Sequence, residues 1–105
     1  MANTPDIKEI MAQAQQMQKK MQAIQENLAK TEITGESGGG FIKITMTCRY
    51  EVRKILISDE AWKESHEILE ELIMAAFNDA IRKVEKISKE RVTELSKEMG
   101  LPTES

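Results

Sequence analysis

Residues 31–50 read TEITGESGGGFIKITMTCRY, and their period of two decides the fold. From Phe41 to Tyr50, Ile42, Ile44, Met46, Cys48 and Tyr50 point one way, while Lys43, Thr45, Thr47 and Arg49 point the other. That alternation marks a half-buried strand. Before it, Thr31–Ser37 forms a shorter strand with Ile33 opposed to Glu32, Thr34 and Glu36, and Gly38-Gly39-Gly40 supplies the turn between the two. A third strand is predicted over Val52–Ile57. Three strands with one polar face make an antiparallel meander whose other face must be covered by helix.

Helical patterns flank this block on both sides. Thr4-Pro5-Asp6 offers a hydroxyl N-cap, a proline at the first helical position and an acid in the first turn, so a helix is expected from Pro5 to Lys30. Its apolar residues keep a seven-residue register: Ile7, Ala14, Met21 and Leu28 in one row, Ile10, Met17 and Ile24 in the other. This narrow seam is that of a helix laid against a partner helix. After the strands, Asp59 opens a second helical region that runs to Met99, where Gly100 and Pro102 stop it. A bend at Glu64-Ser65 would set off a short first piece anchored by Trp62. The stripe Leu69, Leu72, Ile73, Ala76, Phe77, Ala80, Val84 and Ile87 narrows toward a weaker Leu95, so the last part of the helix is expected to leave the core.

The expected fold class is therefore α+β: a long N-terminal helix, a three-stranded antiparallel sheet and a long C-terminal helix, in one domain spanning residues 1–105 with a frayed tail at 102–105. Dimensions add a constraint. A helix from Ser65 to Met99 is ~50 Å long, whereas a globule of this chain length has a radius of gyration of ~13 Å. Such a helix protrudes or is covered by a second subunit. With only four aromatic residues the core is thin, which favours a homodimer.

Chemistry is sparse. The single His66 lies in an acidic stretch and reads as a solvated surface residue. The single Cys48 forbids an internal disulfide, fits a reducing, cytoplasmic setting and sits on the apolar face of a strand. No Cys/His spacing suits a metal, and no Gly-Lys-Ser/Thr follows the glycine run, so neither a cofactor nor a small-molecule substrate is indicated. No apolar run is long enough for a membrane span, and the N-terminus lacks the features of a secretory signal. The chain is expected not to be an enzyme.

Charge is more informative. The formal net charge is −3, but residues 59–79 alone carry −6 and each of the other three segments, 1–30, 31–58 and 80–105, carries +1. Within 80–93 the balance is +3, and Arg82, Lys86 and Lys89 recur at helical spacing. A solvated face laced with pairs such as Glu85–Lys89 is the plainer alternative.

Three stretches in this order, Met11-Ala-Gln-Ala-Gln-Gln-Met-Gln-Lys-Lys-Met21, Thr34-Gly-Glu-Ser-Gly-Gly-Gly40 and Ala75-Ala-Phe-Asn-Asp-Ala80, make the chain resemble the YbaB/EbfC family of bacterial nucleoid-associated proteins over about residues 7–99. The resemblance implies a cytoplasmic homodimer, joined through the sheet region and part of the long helix, with paired helices projecting as arms. It also implies binding of double-stranded DNA with little or no sequence preference, and an influence on nucleoid organisation and gene expression. The second hairpin departs from the family pattern at Thr47-Cys48-Arg49-Tyr50 and Ile57-Ser58-Asp59. Gly35 and Gly38–Gly40 are expected to serve turns, and Ala75–Ala80 close packing. The expected phosphate contacts are Lys8, Lys19, Lys20, Arg82, Lys83, Lys86 and Lys89. The expected dimer contacts are Ile42, Ile44, Met46 and Phe77. The rival is an adaptor that docks partner helices on a Met-rich stripe including Met11, Met17, Met21 and Met74.

Overall fold

The period-two block folds into strands of the expected order. In the computed structural model, which describes residues 6–98 and Gly100, the elements run α1 (Ile7–Lys30), β1 (Glu32–Ser37), β2 (Ile42–Thr47), β3 (Val52–Ile57), α2 (Asp59–Trp62) and α3 (His66–Glu98). The strands form one antiparallel sheet in the order β1-β2-β3. Helix α3 lies over β1 and β2, and α1 runs alongside α3 and touches β2. The core consists of Ile42, Ile44 and Met46 from β2 packed against Ala76, Ala80 and Val84 of α3, with Leu28 closing the α1 end.

Gly35 corrects an expectation. It is no turn residue: it sits in the middle of β1, paired with Ile44. A Cβ built there would lie 2.5 Å from the Ala76 carbonyl oxygen, 2.5 Å from the Ala80 nitrogen and 2.6 Å from the Ala80 Cβ. Strand and helix backbones therefore touch where a glycine faces two alanines one helical turn apart. The turn itself is made by Gly38, Gly39 and Gly40, all at positive φ (60°, 68° and 98°).

Four further expectations shift. The N-cap is Asp6, whose carboxylate accepts from the Lys8 N–H at 3.4 Å; the expected cap Thr4 lies outside the described residues. Strand β2 stops at Thr47, so Tyr50 is not on the core face: it is exposed in the turn at φ 65°. Thr47, expected on the polar face, is buried because its hydroxyl accepts from the Arg49 and Glu51 N–H groups and so shapes that turn. The chain does break between α2 and α3, but the anchor is Ala61, fully buried, while Trp62 is 61 % exposed. In the last case the short α2, capped by Ser58, presents only one residue to the sheet and the small side chain takes that place.

The long helix protrudes. The radius of gyration is 20.4 Å and the molecule measures 76 × 25 × 16 Å. Past the sheet, α3 packs on α1, so Leu95 stays buried in a two-helix arm where the sequence stripe alone suggested departure from the core. Gly100, at φ 70°, donates to the Lys97 carbonyl at 3.1 Å, as a helix-ending glycine does.

Replacing Gly35 by alanine forces the helix off the strand. Gly35→Ala is expected to cost about 3 kcal/mol, read as a lowered urea midpoint, whereas Gly39→Ala meets no atom within 4 Å and should cost only its backbone strain, about 1 kcal/mol.

Candidate nucleic-acid interface

Basic side chains are distributed by helix geometry. Arg82, Lys86 and Lys89 follow one another at i+4 and i+3, so they share one exposed face of α3, and Lys97 returns to it three turns after Lys86. Lys97 belongs to the face by spacing alone, a signal present in the sequence but weakened by the acidic residues around it. Among the described residues, no carboxylate lies within ion-pair distance of Lys86 or Lys89, and Glu85–Lys89 is not a pair. Arg82 approaches Asp79 at 3.8 Å while remaining exposed. Such exposed contacts contribute little.

Lys8 and Lys19, eleven residues apart, lie on the face of α1 turned away from its apolar seam. Because that seam faces α3, these two lysines and the α3 row stand on different sides of the arm. Lys20 is next to the seam, 3.8 Å from Glu98.

Lys83 is differently placed. Its ammonium donates to the Thr34 carbonyl at 2.7 Å and meets the Asp79 carboxylate at 3.1 Å. Asp79 in turn accepts from the Glu36 N–H at 2.9 Å. The Glu36 N–H and then Lys83 hold the Asp79 carboxyl below the usual carboxylate range. Together they clamp α3 to the free edge of β1, supplying partners to strand groups that β2 does not reach. Sequence spacing counted Lys83 as one more surface cation; nothing local marks its second partner, Thr34, which is 49 residues away.

The expected dimer residues separate as well. Ile42, Ile44 and Met46 are buried by α3 of the same chain, so they serve the protomer's own core and not its surface. Phe77 is half-buried and bridges both halves of that core. On β3, Val52, Ile55 and Leu56 are left open: Ile55, paired with Ile44, is on the helix side of the sheet but beyond α3, whereas Leu56, paired with Lys43, is on the opposite face.

Elsewhere the surface offers little chemistry. Among the described residues no cluster of three His, Cys, Asp or Glu side chains could hold a metal, and no helix is long and apolar enough to cross a membrane. Burial pushes the Cys48 thiol up, against a smaller opposing effect of Arg91, so it stays protonated at neutral pH.

The model of the YbaB/EbfC DNA-binding family matches residues 3–99. The chain belongs to that family. Its fold is also that of an uncharacterized protein from Helicobacter pylori, whose crystal structure aligns with a TM-score of 0.77 at 23 % identity, over 88 % of this chain and 98 % of that one. In this family member the projecting two-helix arm carries the basic row.

The clamp makes a pH prediction. A carboxyl lowered by folding contributes stability that is whole above its unfolded value, ~4, and is lost as pH falls through the folded one. Asp79→Asn is expected to lower stability at pH 7 by about 1–2 kcal/mol and to flatten the loss of stability on acidification, measured by urea unfolding from pH 7 to pH 3.

Proposed function

We propose that the protein binds double-stranded DNA as a homodimer, mainly through phosphate contacts, with little or no sequence preference, and that it acts in this way on the nucleoid and on gene expression. Membership of a DNA-binding family supports the partner. The observation that carries the reading is the Arg82, Lys86, Lys89 row on an exposed, protruding helix face, with Lys86 and Lys89 unengaged by any carboxylate among the described residues. Exposed cations at helical spacing suit the regular phosphate backbone, and phosphate contacts position a protein without reading sequence. Lys8 and Lys19 give α1 a separate basic surface on another side of the arm, and its many glutamines add hydrogen-bond donors for phosphate oxygens. Lys83 is taken up by Thr34 and Asp79, and Lys20 borders the seam, so we assign them lesser roles.

Homodimerisation is supported by the open apolar edge. A strand presenting Val52, Ile55 and Leu56 at 42–50 % exposure is an unprotected edge unless another surface covers it. The Met-rich adaptor reading has less to stand on. Met46 is in the core, while Met74 lies on the sheet-covering part of α3, far along the chain from the α1 methionines, so they do not compose one groove.

Gel-shift binding to several unrelated duplexes across a salt series tests the DNA reading. Affinity should be similar among duplexes and fall steeply with salt. Lys86→Gln with Lys89→Gln removes four cations per dimer and should reduce the log–log salt slope by up to ~3.6, four phosphate contacts' worth, without changing the unfolding midpoint. Affinity that ignores salt sinks the proposal. Ile55→Asp should convert the protein to a folded monomer in sedimentation at micromolar concentration; an already monomeric parent overturns the homodimer.

A further inference from the structure

The seam of α1 is used along only half its length. Leu28 is buried, and Ile24 and Met21 are half-buried beside α3. Beyond them exposure climbs: Met17 37 %, Ile10 50 %, Met11 56 % and Ile7 72 %. The cause is length. Glu98, the last helical residue described on α3, already borders the groove formed by Ile10, Ala14, Met17 and Lys20. Among the described residues, the same apolar register that packs on α3 thus continues uncovered toward the helix start.

We infer that this free half of α1 pairs antiparallel with the same segment of another molecule, linking one particle to the next at the tips of the arms. The register is self-complementary. A two-fold axis beside Ala12 sets Ile7 against Met17 and Ile10 against Ala14, and repeats both layers by symmetry, so every layer is apolar and the largest gap faces the smallest side chain. The same alignment brings Asp6 of one copy near Lys20 of the other at both ends, and the two Met11 side chains meet beside the axis. A parallel alignment sets Asp6 against Met11 and Lys20 against Gln25, so Asp6 gains no basic partner and Lys20 keeps only its own Glu98. Charge therefore selects the antiparallel arrangement.

The contact is small. Eleven residues give ~16 Å of seam, well short of the ~800 Å² per partner of a stable interface. A single pairing is weak. It becomes effective where arms are held at high local concentration, as in a row of molecules on one duplex or on two adjacent ones. The pairing itself does not depend on the DNA reading; only this consequence does.

Two variants of the full chain test it. Sedimentation without DNA, from micromolar to millimolar concentration, should show the parent's mass rising above that of the basic particle. Ile10→Glu with Met17→Glu should abolish the rise. Met11→Cys, oxidised with copper-phenanthroline so that two thiols lose their protons and electrons to form one disulfide, should at least double the native mass. Gln15→Cys, on the outer face, should not. Cross-linking at unchanged native mass, or a flat parent mass with no cross-link, overturns the inference. So does a double glutamate variant that lowers the unfolding midpoint at unchanged mass, which would put residues 99–105 of the same chain over the seam. Weaker DNA binding of that variant at unchanged mass, with no Met11→Cys cross-link, would put DNA there and also overturns it.

Discussion

The structure depends on one close approach, that of the β1 backbone at Gly35 to the α3 backbone at Ala76 and Ala80. A sheet of three short strands cannot bury enough apolar surface with large side chains alone. Here the helix is brought into contact with the strand itself, and dispersion between backbones replaces the missing volume. The approach fixes the height of α3 over the sheet, and with it the depth at which Ile42, Ile44 and Val84 are enclosed. It also brings Asp79 and Lys83 within reach of the Glu36 N–H and the Thr34 carbonyl, so a polar clamp on the β1 edge is a by-product of the same contact.

Because the helix sits so close over β1 and β2, it cannot also cover β3. The uncovered Val52 and Ile55 are the counterpart of the glycine contact: tight packing at one side of the sheet leaves the other side open. The same geometry carries α3 well past the sheet, where only α1 remains to pack on it. The protomer is therefore a small core at one end of a long two-helix arm, and its solvent-facing rows of cations are set by helical periodicity along that arm.

Much of this was legible in the residues. The alternation of Ile42 to Cys48, the glycine run and the flanking helical periods give element type and order, because each reflects a local backbone preference. The order of three short blocks gives the family. Where the sequence misleads, the reason is a contact that periodicity does not encode. Tyr50 alternates in phase with the core residues, yet the Thr47 hydroxyl ends the strand by accepting the N–H groups of Arg49 and Glu51. Trp62 is the largest apolar residue of its helix, yet Ala61 fills the space. Lys83 looks like its neighbour Lys86, yet its Asp79 pair and its carbonyl partner 49 residues away distinguish them.

The sequence by itself determined the elements, the seam on α1, the confinement of excess acid to residues 59–79 and the presence of a helix too long to be enclosed. These follow from composition and from periods of two and near 3.5, which do not need tertiary information. Tertiary structure alone decided which of the cations are already engaged, which apolar groups remain open, and that Gly35 is a packing residue in mid-strand. Those depend on distances between segments dozens of residues apart, and the physical quantity that sets them, the separation of two backbones, is not written in any local pattern.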